Sequence, residues 1–341
     1  MKVYNPPTDL HLSTTLAQYL AQIRKERGFC ACDYLQEKAT LLARYLDKYR
    51  LQACVLGVSG GVDSAVALGI LKHTAQLPNS PLKHIFALMM PVSNSSGTTH
   101  QNEATQRGKE LCQKWGLKPY IIDLHDTNQA MRTVVETALQ VQATDWAIGQ
   151  LVSCSRTPIV YYVANLLVQE GKKAVVCGTT NLDEGGYLGF MGKASDCMVD
   201  LQLISDLHKS EVYALARHLD VLPSILEAVP SGDMYDARSD ETVFGAPYDF
   251  VELYLHYLNL PAQEQNRLLN GWDDTTRQQF NTFAANLERL HRYNAHKYMV
   301  KSPAVHLDIL PSTIKGGWDN SSPNWKEVLY EKNTMGTARD C

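Results

Sequence analysis

The stretch "ACVLGV" at 53–58, followed at once by "SGGVDSAVA", constrains the fold more than any other part of the chain. A short apolar run, two glycines and a helix-forming run over 64–73 make a strand, loop and helix unit. Such a unit needs further strands beside it, and the sequence supplies them. Residues 84–90 read as a second strand, 102–115 as a helix and 119–124 as a third strand. A helix over 159–169, a strand over 174–178 and a helix over 209–219 continue the alternation. Apolar strands separated by helices predict a doubly wound, mostly parallel α/β sheet with helices on both faces. Right-handed crossovers put the loops after the strands along one edge, where ligands of such sheets collect.

Around this core the chain carries additions. Apolar residues at spacings of three and four over 16–49 predict two amphipathic helices, a lead-in within 1–50. Past Pro230 the chain turns polar before helical stretches at 250–260 and 275–293, and 311–341 reads as a polar tail. One domain over 1–310 is expected. The N-terminus lacks a basic segment followed by an apolar one, and no apolar window of membrane-spanning length is evident, so a soluble, cytoplasmic protein with no membrane partner is expected. A net charge of −4 offers no global basic field for nucleic acid. The eight cysteines include no CxxC pair and read as reduced thiols.

The loop itself admits two readings. Gly60 and Gly61 let backbone N–H groups approach an anion, the following helix adds its positive end, and Ser59 and Ser64 add hydroxyls. Asp63 beside phosphate then calls for a bridging cation, Mg²⁺. The alternative is a plain turn in which Asp63 or Ser64 caps the helix. No GxxxxGK[ST] and no GxGxxG after the strand occurs, which sets aside the P-loop and dehydrogenase readings.

The SGGxDS pattern resembles the pyrophosphate loop of the N-type ATP pyrophosphatases, an adenine nucleotide alpha-hydrolase-like fold. Within that group the chain resembles NAD synthetase over about 35–303. The specific matches are "CGTTNLDEGGYLGFMGKASDCMVDLQLISDLHKSEVYALA", "VPSGDMYDARSDETVFG" and "HRYNAHKYMVKSPA", in that order.

The resemblance implies the amidation of deamido-NAD to NAD through an acyl-adenylate, with ATP consumed and AMP and pyrophosphate released. It places the ATP phosphates on Gly57, Val58, Ser59, Gly60, Gly61, Val62, Asp63 and Ser64, with Thr179, Lys209 and Ser231 as further ATP contacts. Asp63 and Glu184 would hold Mg²⁺, a hard cation suited to carboxylates and phosphates. Arg156, Lys193, Asp200, His296 and Lys297 would take deamido-NAD, and Asp196 would stand by the ammonia. Asp63, Lys209 and Asp196 are thus the expected catalytic set. One position departs from the family: Cys154 stands where a substrate-binding arginine is expected, two residues before Arg156. About 55 residues precede the loop, too few for a glutaminase domain, so ammonia, free or from a separate glutaminase, is the expected donor. A homodimer is implied as well. The rivals are another N-type pyrophosphatase, of the GMP synthetase, asparagine synthetase or tRNA-thiolating kind, and a non-catalytic nucleotide-binding module.

Overall fold

Two helices lead into the first strand, as their spacing predicts. The computed structural model describes residues 10–92, 100–232, 238–298, 305–311 and 314–315. Helix α1 (Thr14–Arg27) starts on a Ser13 cap and stops at Gly28, whose left-handed backbone ends the helix. Helix α2 (Ala31–Lys48) buries Leu35, Leu42 and Leu46 against the core.

The alternating unit then runs β1 (Ala53–Gly57), α3 (Val62–Gln76), β2 (His84–Met89), α4 (His100–Lys114) and β3 (Pro119–Ile121). Helices α5 (His125–Leu139), α6 (Asp145–Cys154) and α7 (Arg156–Gln169) lead to β4 (Ala174–Gly178). A π-helical turn (Leu182–Leu188), β5 (Leu201–Gln202) and α8 (Lys209–His218) follow. The remainder is α9 (Pro223–Leu226), α10 (Asp240–Phe244), α11 (Tyr248–Asn259), α12 (Ala262–Gly271), α13 (Asp274–Tyr293), α14 (Ala295–Tyr298) and β6 (Val305–His306). The expected tail at 316–341 lies outside the described residues.

The strand order is β3-β2-β1-β4-β5-β6, and every neighbouring pair is parallel. The chain builds outward from β1 on one side and returns to its other side with β4. The gap between the carboxyl ends of β1 and β4 is therefore the switch point at which a ligand crevice forms. One face of the sheet packs on α2, α3 and α8, the other on α7. A second cluster of apolar and aromatic residues joins α1, α11 and α13 to the π-helical turn.

Three short elements go unread in the sequence, and one expectation needs correction. The π-helical turn and the short β5 and β6 have too few residues to set up a periodicity, and sequence reading passes over them. Helices α6 and α7, spanning Asp145–Gln169, also contain an 18-residue window of mean hydropathy 1.2, so by length and composition an apolar window does exist. Only 28% of that window is buried within the chain. Val160, Ala164 and Leu167 face the sheet, while Tyr162, Leu166 and Val168 are exposed.

Candidate active site

The loop after β1 is shaped by packing before any ligand is considered. Gly60 has φ of +80°, and a Cβ there would lie 2.0 Å from the Ala104 carbonyl oxygen on α4. Only glycine meets both demands. Gly61 is the N-cap of α3 in extended conformation, and no side chain caps that helix end. The Ser64 hydroxyl donates to the Gly61 carbonyl at 3.0 Å, so it braces the loop from below. Asp63 is not a cap either: Asn181 Nδ2 donates to its Oδ1 at 2.8 Å, and Lys209 Nζ lies 2.7 Å from its Oδ2.

That second contact opens the main cluster. Lys209, the first residue of α8 and 3% exposed, also lies 2.9 Å from Glu184 Oε1 in the π-helical turn. Tyr248 Oη lies 2.7 Å from the same Glu184 oxygen and 2.9 Å from Asp240 Oδ2. The lysine ammonium also sits 4.8 Å from the centre of the Tyr248 ring. Burial would lower the Lys209 pKa, but Asp63 and Glu184 outweigh it and raise it well above the ordinary lysine value. Glu184 is pushed up to about 7, first by burial and then by Asp63 and Asp240, against the pull of Lys209. Burial raises Asp240 too, partly offset by Lys209.

Asp63 and Glu184 thus aim their oxygens at one cation from the ends of adjacent strands, β1 and β4. Two hard carboxylates converging this way fit a Mg²⁺ ion brought in on a triphosphate. Among the described residues no group of three or more His, Cys, Asp or Glu side chains could hold a metal by itself.

Beside this cluster a cavity of about 150 Å³ opens between the ends of β1, β2 and β4 and the helices α4 and α7. Gly57, Val58, Ser59, Arg156, Thr179 and Asp196 line it. Arg156 Nε donates to the Met90 carbonyl at 3.1 Å, which turns its guanidinium toward the end of β2. The Ser153 hydroxyl donates to Ser195 Oγ at 2.9 Å and Thr157 to the Ala194 carbonyl at 2.6 Å, so the α6–α7 junction holds the loop carrying Asp196. Asp196 accepts from Gly192 N at 2.8 Å and from the Ser195 hydroxyl at 3.2 Å. Cys154 sits half-buried within the reach of the Asp196 charge; burial first, then that carboxylate, pushes its thiol pKa up.

The other expected substrate residues divide. Lys193 Nζ donates to the His296 carbonyl at 3.2 Å, and Lys297 Nζ donates to the carbonyls of Gly189 and Met191 at 2.9 and 2.7 Å. These three residues therefore meet where α14 crosses the 189–196 loop. Asp200 is engaged within the sheet, accepting from Val176 N at 2.8 Å and from the Tyr161 hydroxyl at 3.3 Å. Ser231 is exposed next to Gly232, whose N–H donates to Asp240 at 2.8 Å; the cavity lining does not include Ser231. The neighbouring 233–237, and 299–304 of the last matched segment, lie outside the described residues.

Asn181, Asp183, Asp240 and Tyr248 belong to the site and escaped the sequence reading. Asn181 and Asp183 lie inside "TTNLDE", where a polar cluster between a strand and Glu184 was the available signal. Asp240 and Tyr248, in "SDETVFGAPYD", had none beyond the resemblance, because their role depends on α10 and α11 folding back over Lys209.

Known proteins resemble this chain in sequence and in fold. The ammonia-dependent NAD⁺ synthetase of Syntrophomonas wolfei is 32% identical over 203 residues, which is 59% of this chain and 74% of that one. An NMN synthetase from Francisella tularensis has a similar fold, with a TM-score of 0.62 at 23% identity over 79% of this chain and 96% of that one. An ammonia-dependent NAD synthetase from Campylobacter jejuni superposes with a TM-score of 0.57 at 22% identity, over the same shares of each chain. The family model for NAD synthase matches residues 34–299, which hold the glycine loop, the carboxylate and lysine cluster and the α14 contact, and the chain belongs to the NAD synthase family.

Proposed function

We propose that this chain amidates deamido-NAD to NAD, using ATP and ammonia. The observation that carries the reading is the meeting of Asp63, Glu184 and Lys209, from three separate sequence segments, within 2.9 Å at the ends of β1 and β4. Ammonia as donor is supported by the relatives named NH₃-dependent.

The reaction has two steps. The nicotinate carboxylate of deamido-NAD attacks the α phosphorus of ATP, and pyrophosphate leaves toward the Gly57 to Ser64 loop. Ammonia then attacks the acyl carbon, AMP departs, and the amide of NAD is formed. Lys209 supplies a fixed positive charge where the leaving pyrophosphate gains negative charge. Asp63 and Glu184 are the residues that would hold Mg²⁺, which when bound neutralises triphosphate charge. Gly57, Val58, Ser59 and Thr179 line the space for the nucleotide. Asp196, which also lines that cavity, is the carboxylate that would hold ammonium and take its proton. Lys193 and Lys297 suit the dianionic dinucleotide. Holding the partners in line, with charge stabilisation, is sufficient for this chemistry.

The assembly we propose is a homodimer. Val135, Leu139, Trp146, Tyr162 and Leu166 on α5, α6 and α7 are all exposed, apolar surface of the kind a second copy would cover.

One observation favours a second reading of the acceptor. Cys154 replaces a cation expected for the dinucleotide, and one fold neighbour is an NMN synthetase, so nicotinate mononucleotide is the alternative acceptor. Purified protein with ATP, Mg²⁺, ammonium and either acceptor tests both. NAD and AMP from deamido-NAD are the expected products. ADP as product, or no turnover of either acceptor, would sink the assignment, and faster turnover of the mononucleotide would select the second reading.

A further inference from the structure

Lys209 can serve only if the first turn of α8 is held at the right distance from Glu184, and one buried carboxylate spans that distance. Asp183, fully buried and adjacent to Glu184 in the π-helical turn, accepts from the Lys209 backbone N–H at 2.7 Å through Oδ2. Its Oδ1 lies 2.6 Å from His208 Nδ1, and His208 is the N-cap of α8. The Leu182 N–H donates to the Leu207 carbonyl at 2.9 Å, a main-chain tie between the same two segments. Each oxygen of Asp183 is thus committed to the turn that begins with Lys209. That turn is also gripped from its far side. Glu211 Oε2 accepts from His208 N at 2.9 Å, and Arg27 of α1 pairs with Glu211 and donates to the Asp206 carbonyl at 2.7 Å.

We infer that Asp183 and His208 are positioning residues that fix Lys209 against the phosphate site, so that the segment carrying one metal carboxylate also sets the place of the lysine. Neither needs to touch substrate. The inference rests on the reading of the site above only in taking ATP as the ligand.

An asparagine at 183 keeps one accepting oxygen for the Lys209 N–H and can meet His208 Nδ1 only by donating to it, so the carboxylate that accepts from both groups at once is lost. The test is a double-mutant cycle on Mg²⁺·ATP binding to the full chain, read by calorimetry without any acceptor. Asp183→Asn should raise the ATP dissociation constant about tenfold, with KM for deamido-NAD unchanged. In a Lys209→Ala background the same substitution should change it by less than about twofold, because the effect runs through Lys209. His208→Asn, which keeps a donor near the Nδ1 position, should bind nearly as well as wild type, and His208→Ala should not.

Additive effects of Asp183→Asn and Lys209→Ala would overturn the inference, as would equal losses in the two His208 variants. If Asp183→Asn does not fold, the His208 pair and their cycle with Lys209→Ala decide the matter. Wild-type protein that binds ATP but makes no NAD would sink the functional reading and leave the cycle readable. Wild-type protein that binds no ATP would overturn both.

Discussion

The half of the site proposed for the phosphates and the half proposed for the acceptor are built on different principles. Around Asp63, Glu184 and Lys209 the lysine is buried, the carboxylates are half-buried, the charges satisfy one another, and α8 and the π-helical turn are tied together by Asp183. Around Lys193, His296 and Lys297 the cations rest on main-chain carbonyls, Lys193 is exposed, and the holding elements are a loop and a four-residue helix. A preorganised cluster suits a group that must meet developing charge without rearranging. A lightly tethered one suits a large acceptor that must enter and leave.

Breaking the first half should cost most. Lys209→Ala should lower kcat by about 10²–10³-fold, as the loss of one preorganised charge does elsewhere, with little change in KM for the acceptor; steady-state pyrophosphate release measures it. Gly60→Ala attacks the same half through packing. With φ of +80° and a Cβ 2.0 Å from the Ala104 oxygen, it should destabilise the fold by about 2–4 kcal/mol in urea unfolding. An unchanged midpoint would mean that α4 yields freely.

The second half should respond more mildly. Lys297→Ala removes the donor to Gly189 and Met191 and should raise KM for deamido-NAD about tenfold while leaving KM for ATP alone. A matching rise for ATP would show that the two halves are mechanically coupled.

The smallest effect concerns pH. Burial would lower the His208 pKa, but Asp183 outweighs it and raises it above 6.5. The charged pair then contributes stability that is fully present below about pH 6.5 and is lost as pH rises through the higher folded value. Between about pH 6 and pH 9 the wild-type Tm should fall by about one or two degrees more than that of His208→Asn.

How much of this was legible depends on sequence distance. Asp63 could be read from its glycine loop, whereas Glu184 and Lys209 were legible only through the resemblance of the segment that carries them. The sequence reading also offered Ser64 as a phosphate donor, whereas its hydroxyl faces the Gly61 carbonyl; a hydroxyl's direction is set by its rotamer and is invisible in a sequence. The resemblance gives Asp200 to deamido-NAD, and in the fold its oxygens accept from the Val176 N–H and the Tyr161 hydroxyl. Asp240 and Tyr248 gave no local signal.

By itself the sequence determined the parallel α/β core, since apolar runs with the periods of strands and helices have few ways to bury themselves. It determined the glycine loop as well, because a left-handed residue under α4 admits only glycine. Tertiary structure alone decided which charges pair. Lys209 meets Asp63 across 146 positions of sequence, and only the return of β4 to the side of β1 brings them together. It also decided that Asp183 faces α8 while Glu184, one residue on, faces the Lys209 ammonium and the Tyr248 hydroxyl. In a π-helical turn the direction of each side chain follows from how the turn is packed, and that packing comes from α11 and α13.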